Sequence, residues 1–212
     1  MVVILGTLGF RPETLIPTIR STERLSSVIV FHSDHERSKD AAKDIRRLCE
    51  LMGVQLIERE IPDAFDFMTV AKAIQDDILE ARKKEETIGV FNIAGGTRIM
   101  SASALLVCTL EGLNTVYVHD NTLEEIPLPM LHIRYSDILT DVQKSLLKYL
   151  VQNKGRDITQ GDLAKEFGMH KATINHHIKK LQEKGTVHLE TKKGDGREKI
   201  VRAEVSMELL LR

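Results

Sequence analysis

Cysteine, aromatic residues and long apolar runs are all scarce in this 212-residue chain. The two cysteines, Cys49 and Cys108, fall within apolar helical patterns and read as buried free thiols. Buried in that way, they cannot build a structural zinc site of the Cys/His type, and no metal site is expected. Aromatic residues make up 4% of the chain, which disfavours the stacking platforms that grip single-stranded nucleic acid. No apolar run approaches the roughly 20 residues of a membrane helix. The opening Met1-Val2-Val3-Ile4-Leu5-Gly6 has no basic stretch before its apolar residues and no small-residue cleavage site. It reads as a first strand rather than a signal peptide, and a cytoplasmic location is expected. Familiar enzyme fingerprints are missing as well. There is no G-x-G-x-x-G for a dinucleotide, no G-x-x-x-x-G-K-[ST] P-loop and no G-x-S-x-G elbow. No cofactor and no catalytic residue is therefore assigned.

What is present is an ordinary globular composition, 42% hydrophobic and 29% charged. The net charge of −1 hides an asymmetry. Residues 1–136 hold 15 basic and 20 acidic side chains, whereas residues 137–212 hold 15 and 11. A basic C-terminal part is the footprint expected of a nucleic-acid binder. Short β-branched runs at residues 2–5, 27–31, 54–61, 88–93 and 115–119 alternate with helical patterns at 13–23, 36–52, 65–84 and 99–111. Gly53 and Gly112 sit where helix-ending glycines belong. This alternation predicts an α/β fold, a Rossmann-like doubly wound, mostly parallel sheet. A further strand at 125–133 contains Pro127 and Pro129 and fits only a sheet edge. Near Tyr135-Ser136-Asp137 the pattern changes, which places one domain at 1–136 and a second at 137–212.

The most informative stretch is Asn92-Ile93-Ala94-Gly95-Gly96-Thr97-Arg98-Ile99-Met100-Ser101, where a strand hands over to a helix. Backbone N–H groups at such a helix start favour anions. In an open α/β sheet, ligands bind beyond the carboxyl ends of the strands, at the switch point in strand order. A second loop, Gly6-Thr7-Leu8-Gly9-Phe10-Arg11-Pro12, follows the first strand and is expected to meet the other there. Both combine glycine, a threonine hydroxyl and one arginine, which suits a phosphorylated or nucleotide ligand. The ligand-binding candidates are Thr7, Leu8, Gly9, Phe10, Arg11, Asn92, Gly95, Gly96, Thr97 and Arg98. At His32-Ser33-Asp34-His35, helix capping by Ser33 or Asp34 is preferred to a ligand role.

The C-terminal part reads as a helix over 137–152 with Ile138, Leu139, Val142, Leu146, Leu147 and Leu150 on its apolar stripe. Thr159 then opens a short helix, Gly168-Met169-His170 turns, and residues 171–184 form a second helix that buries Ile174, Ile178 and Leu181. Two alternating stretches follow, 186–192 and 198–205, around a glycine-rich basic tip, Lys193-Gly194-Asp195-Gly196-Arg197. Together they predict an α+β winged helix-turn-helix that binds double-stranded DNA. Its DNA-contacting candidates are Thr159, Gln160, Lys171, Thr173, Asn175, His176, Lys179, Lys193 and Arg197.

The Gly-Thr-Leu-Gly-Phe loop at Gly6 to Phe10 and the Gly-Gly-Thr-Arg-Ile-Met loop at Gly95 to Met100 resemble the two ligand motifs of the CARF domain, the CRISPR-associated Rossmann fold. With the winged helix, essentially the whole chain resembles the archaeal CRISPR-associated CARF–winged-helix transcriptional regulators. The resemblance implies a homodimer whose CARF domains share a cleft, and a cyclic oligoadenylate ligand, with the tetra-adenylate first in line. It implies that Leu8, Gly9, Phe10 and Arg11 line one side, that Gly95, Gly96, Thr97 and Arg98 hold phosphates and riboses, and that Met100 packs beneath. Many CARF proteins carry a nuclease domain with an R-x4-H motif, and no histidine here follows an arginine at that spacing. The effector is therefore expected to be the DNA reader, with no membrane partner. The alternative is a ring nuclease that cleaves the bound ligand.

Overall fold

The structure, a computed structural model, describes residues 2–191 and 199–210. The chain divides into two compact units, Met1–Arg134 and Tyr135–Arg212.

In the first unit the β-branched runs become parallel strands because their apolar side chains fill both faces of one sheet. The strands are β1 (Val2–Leu8), β2 (Leu25–Ser33), β3 (Gln55–Ile61), β4 (Thr87–Asn92) and β5 (Thr115–Val118), with β6 (Glu125–Pro127) antiparallel on the edge. Their order is β3-β2-β1-β4-β5-β6. The order reverses between β1 and β4, so the switch point lies between those two strands. Val3, Ile4, Leu5, Val28, Val30, Phe31 and Phe91 are buried, as expected for a sheet covered on both sides. The Phe31 and Phe91 rings stack with centroids 6.1 Å apart.

The covering helices are α1 (Ile16–Ser21), α2 (Glu36–Met52), α3 (Phe67–Lys83) and α4 (Arg98–Glu111). Gly53 and Gly112 end α2 and α4 with φ of 67° and 64°, in the left-handed region. Two expectations are corrected. Residues 13–23 do not form one helix: a 3-10 turn at Pro12–Thr14 precedes α1, whose first turn holds Pro17. The edge strand stops at Pro127 rather than at 133, because prolines at 127 and 129 cannot donate to a ladder.

The second unit holds α5 (Asp141–Gln152), α6 (Gln160–Glu166), α7 (Lys171–Glu183), the antiparallel pair β7 (Val187–Thr191) and β8 (Lys199–Ala203), and a short α8 (Met207–Leu210). Its core includes Leu146, Leu147, Leu163, Ile174, Ile178, Leu181 and Val201. Here α5 starts later than expected. A 3-10 turn at Tyr135–Ile138 comes first, and Thr140 caps α5 through a capping box with Gln143. Ile138 is consequently exposed rather than on the buried stripe. Tyr135 OH donates to Lys184 O at 2.7 Å, and Lys184 Nζ donates to Ile138 O and Gln143 Oε1. These bonds tie the entry segment to the C-terminal end of α7.

Candidate ligand cleft and winged-helix face

β1 and β4 run side by side, with Leu5 opposite Phe91 and Gly6 opposite Asn92, so the loops that follow them leave the sheet together. Their glycines let them touch. A Cβ on Gly95 would lie 2.3 Å from Thr7 O and 2.8 Å from Leu8 Cα, and one on Gly9 would lie 2.8 Å from Gly96 N. No larger residue fits that crossing without moving backbone. Side chains then fix the β4 loop. Asn92 Nδ2 donates to Thr14 O and Thr18 Oγ1, while its Oδ1 accepts from Ala94 N. Ser101 Oγ donates to Ile93 O at 2.8 Å. Thr97 caps α4: its Oγ1 accepts from Met100 N at 3.1 Å and donates to Ala64 O at 2.7 Å. The amides of Arg98 and Ile99 take no partner among the described residues, and Arg98 is exposed and unpaired among them. The start of α4 therefore offers two free N–H groups beside a guanidinium, an arrangement that favours an anion.

A cleft of about 710 Å³ opens over this edge of the sheet. Gly9 and Phe10 form one wall, and Gly96, Thr97, Arg98 and Ile99 a second. Two further walls come from the ends of β2 and β3: Ser33, Asp34 and His35, and residues 62–65. Phe10 leans on the β2 end. Its ring centroid is 4.7 Å from that of His35, and the Arg37 guanidinium sits over it at 4.5 Å. His35 caps α2, its Nδ1 accepting from Arg37 N at 3.1 Å. That bond occupies the Nδ1 lone pair and leaves Nε2 as the ring nitrogen turned to other partners.

The structure brings Gly9, Phe10, Gly96, Thr97 and Arg98 to one cleft. Other expected ligand residues do not reach it. Thr7 and Leu8 are the last residues of β1, paired with Phe31 and His32, and both are buried. Leu8 packs in the core with Leu15 and Ile19. Thr7 Oγ1 has no hydrogen-bond partner among the described residues. Asn92 and Gly95 are buried in holding the loop. Arg11 is exposed, but its guanidinium donates to Asp120 O at 2.7 Å. The capping expectation also changes, since His35 rather than Ser33 or Asp34 caps α2. Residues 62–65 were not among the expected site residues, and Phe65 was read as the start of a helix that begins at Phe67, although every parallel strand of this sheet ends at the same edge.

In the second unit, α7 exposes Lys171, Thr173, Asn175, His176 and Lys179 while Ile174, Ile178 and Leu181 anchor it. Gln160 is half-buried at the start of α6. Thr159 is a correction: it is buried, and its hydroxyl donates to Asp162 Oδ2 and accepts from Asp162 N as the cap of α6. Lys193 and Arg197 lie outside the described residues.

Burial pushes the Cys108 thiol up to about 12 and the Cys49 thiol up to about 11, far from nucleophilic range at neutral pH. Among the described residues, no group of three or more His, Cys, Asp or Glu is placed to hold a metal ion, and no helix is long and apolar enough to cross a membrane.

Comparison with known proteins gives two family matches. Residues 2–129 match the model of the Csa3 CRISPR-associated Rossmann-like domain, and residues 139–198 match that of the MarR family. The second unit is thus a MarR-type winged-helix domain. No curated protein matches the chain. Among solved structures, Staphylococcus aureus MepR bound to DNA is 25% identical over 35% of this chain and 60% of its own, with a TM-score of 0.34. A mutant of the same MepR bound to an oligodeoxyribonucleotide is 25% identical over 34% of this chain and 53% of its own, with a TM-score of 0.33. The chain thus spans little more than half the length of the solved structures it matches.

Proposed function

This chain belongs to the Csa3 CRISPR-associated Rossmann-like family, and from that premise we propose a ligand-responsive transcriptional regulator. Its Rossmann domains pair two-fold and bind a cyclic oligoadenylate, first of all the tetra-adenylate. The bound ligand sets the affinity of the winged helices for duplex DNA.

The observation that carries this reading is the cleft at the β1/β4 switch point, with exposed Arg98 and two free amides at the start of α4. These are donors for a phosphodiester, and the cleft around them has room for a nucleotide. A cyclic, symmetric ligand suits a two-fold pair, since each copy offers the same contacts to half of it. On the DNA side, α7 leaves two lysines, a threonine, an asparagine and a histidine exposed. Lysines there anchor phosphates, and Asn175 has the amide that reads adenine in a major groove. Regulation requires only that the ligand bind two arrangements of the dimer unequally.

The ring-nuclease reading has less behind it. The Thr97 hydroxyl is already spent on Ala64 and Met100, and Thr7 is buried away from the cleft. Calorimetric titration of the whole protein with cyclic tetra-adenylate tests the ligand. One ligand per two chains is expected. Arg98→Ala should weaken binding about 10- to 100-fold, the worth of one charge-assisted hydrogen bond. Absence of heat from folded protein would overturn the ligand assignment.

A further inference from the structure

The two halves of the cleft differ in chemistry. At the switch point Gly9, Gly96 and the start of α4 offer backbone N–H groups and the Arg98 guanidinium. At the β3 side, Pro62, Ala64 and Phe65 form an apolar lip. Phe65 is 76% exposed. It makes no ring contact among the described residues, whereas the Phe10 ring is already engaged by Arg37 and His35. The lip is nevertheless firmly built. Asp63 Oδ1 accepts from the amides of Phe65 at 2.9 Å and Asp66 at 3.2 Å. Asp66 Oδ1 in turn accepts from Thr69 N as the cap of α3. The Thr97 to Ala64 bond joins the lip directly to the anion-binding loop. An aromatic side chain is thus held, with a free face, one residue from the point where the phosphate half begins. Such preorganisation spares a ligand the ordering cost of a loose loop.

We propose that residues 62–65 form the base-binding half of the ligand site, with Phe65 stacking on a purine whose phosphate lies against Arg98 and the start of α4. The assignment rests on the nucleotide reading of the cleft and adds which residue recognises the base. Stacking on an aromatic side chain is worth about 5- to 100-fold in affinity per base.

The chain contains no tryptophan, so Phe65→Trp introduces a single tryptophan at the lip, whose emission can be excited apart from that of the three tyrosines. Titrating that variant with cyclic tetra-adenylate should give saturable quenching of its emission, at the affinity calorimetry finds for the unsubstituted protein. Phe65→Ala should lose about 5- to 100-fold in affinity while sedimentation shows its oligomeric state unchanged. Unchanged emission on binding, together with full affinity in Phe65→Ala, would overturn the proposal. So would weaker self-association in Phe65→Ala, which would make Phe65 a contact between copies. If the unsubstituted protein binds no cyclic tetra-adenylate, the ring-ligand reading falls separately. Titration of Phe65→Trp with adenosine 5′-monophosphate then decides for the lip: quenching upholds it, and its absence overturns it.

Discussion

Gly95→Ala is the sharpest perturbation of the crossing on which the ligand cleft depends. The added Cβ would lie 2.3 Å from Thr7 O, 2.8 Å from Leu8 Cα and 3.0 Å from Gly9 N. All three are backbone atoms at the end of a central strand, so no side chain can swing aside. Carbon–oxygen contacts ordinarily begin near about 3.3 Å, so the β4 loop must retreat by about 1 Å. That retreat pulls on the Ser101 bonds to Ile93 O and Gly95 O and on the seating of Gly96 against Gly9. Overpacking of this kind costs about 1–3 kcal/mol, and the rigid partners place Gly95→Ala toward the upper figure. Gly161→Ala is the matched control. Gly161 lies in α6, and a Cβ there meets only Thr159 Oγ1, at 3.5 Å. That change should stabilise by up to about 1 kcal/mol through helix propensity. Denaturant unfolding followed by circular dichroism reads both. Opposite shifts are expected, with cyclic tetra-adenylate affinity reduced only in Gly95→Ala. A Gly95→Ala protein that unfolds at the unsubstituted midpoint and binds normally would refute the crossing as described.

Three further outcomes follow from particular contacts. Thr7→Val removes a buried hydroxyl that has no partner among the described residues, so stability should rise by about 1 kcal/mol with ligand affinity unchanged; weaker binding would restore Thr7 to the ligand site. Lys179→Ala on the exposed face of α7 should lower DNA affinity across sequences and flatten the slope of log affinity against log salt by about 0.9, as expected for one lost phosphate contact. An unaltered slope would remove Lys179 from the interface. The hydrogen bond from His188 to Glu204, aided by Glu190, raises the histidine pKa. With the folded value above the ordinary one of about 6.5, the stabilisation is full below that pH and is lost as pH rises through the raised value. His188→Gln should erase this component from a pH series of unfolding midpoints, and an unchanged profile would count against it.

Much of the first unit was legible because its signals are local. β-branched runs bounded by glycines gave the strands, and Gly53 and Gly112 marked helix ends. The meeting of the two glycine loops was expected from the rule that ligands bind beyond the carboxyl ends of the strands at the switch point. What escaped was set by tertiary pairing. β1 runs on through Gly6, Thr7 and Leu8 because Val30, Phe31 and His32 of β2 pair with them, and this buries three residues that had looked like loop. The base-side lip was missed because Thr97 and Ala64 are 33 residues apart and no local pattern joins them. The rule that sent the glycine loops to the carboxyl edge of the sheet also applies to β2 and β3: residues 32–35 were weighed there and set aside as helix caps, and the same rule would have flagged residues 62–65. In the second unit, Thr159 shows that one hydroxyl rarely serves twice: as the cap of α6 it has no donor left for DNA.

The central claim is that a ligand in the Rossmann cleft changes how the winged helices hold DNA. Its most direct test is the affinity of the whole protein for a duplex DNA that it selects from a random-sequence pool, measured at fixed salt with and without saturating cyclic tetra-adenylate, beside Arg98→Ala. The account predicts a ligand-dependent change of about 5- to 150-fold in the unsubstituted protein, the usual span of allosteric coupling, and little or none in Arg98→Ala. Equal DNA affinity with and without bound ligand would contradict it.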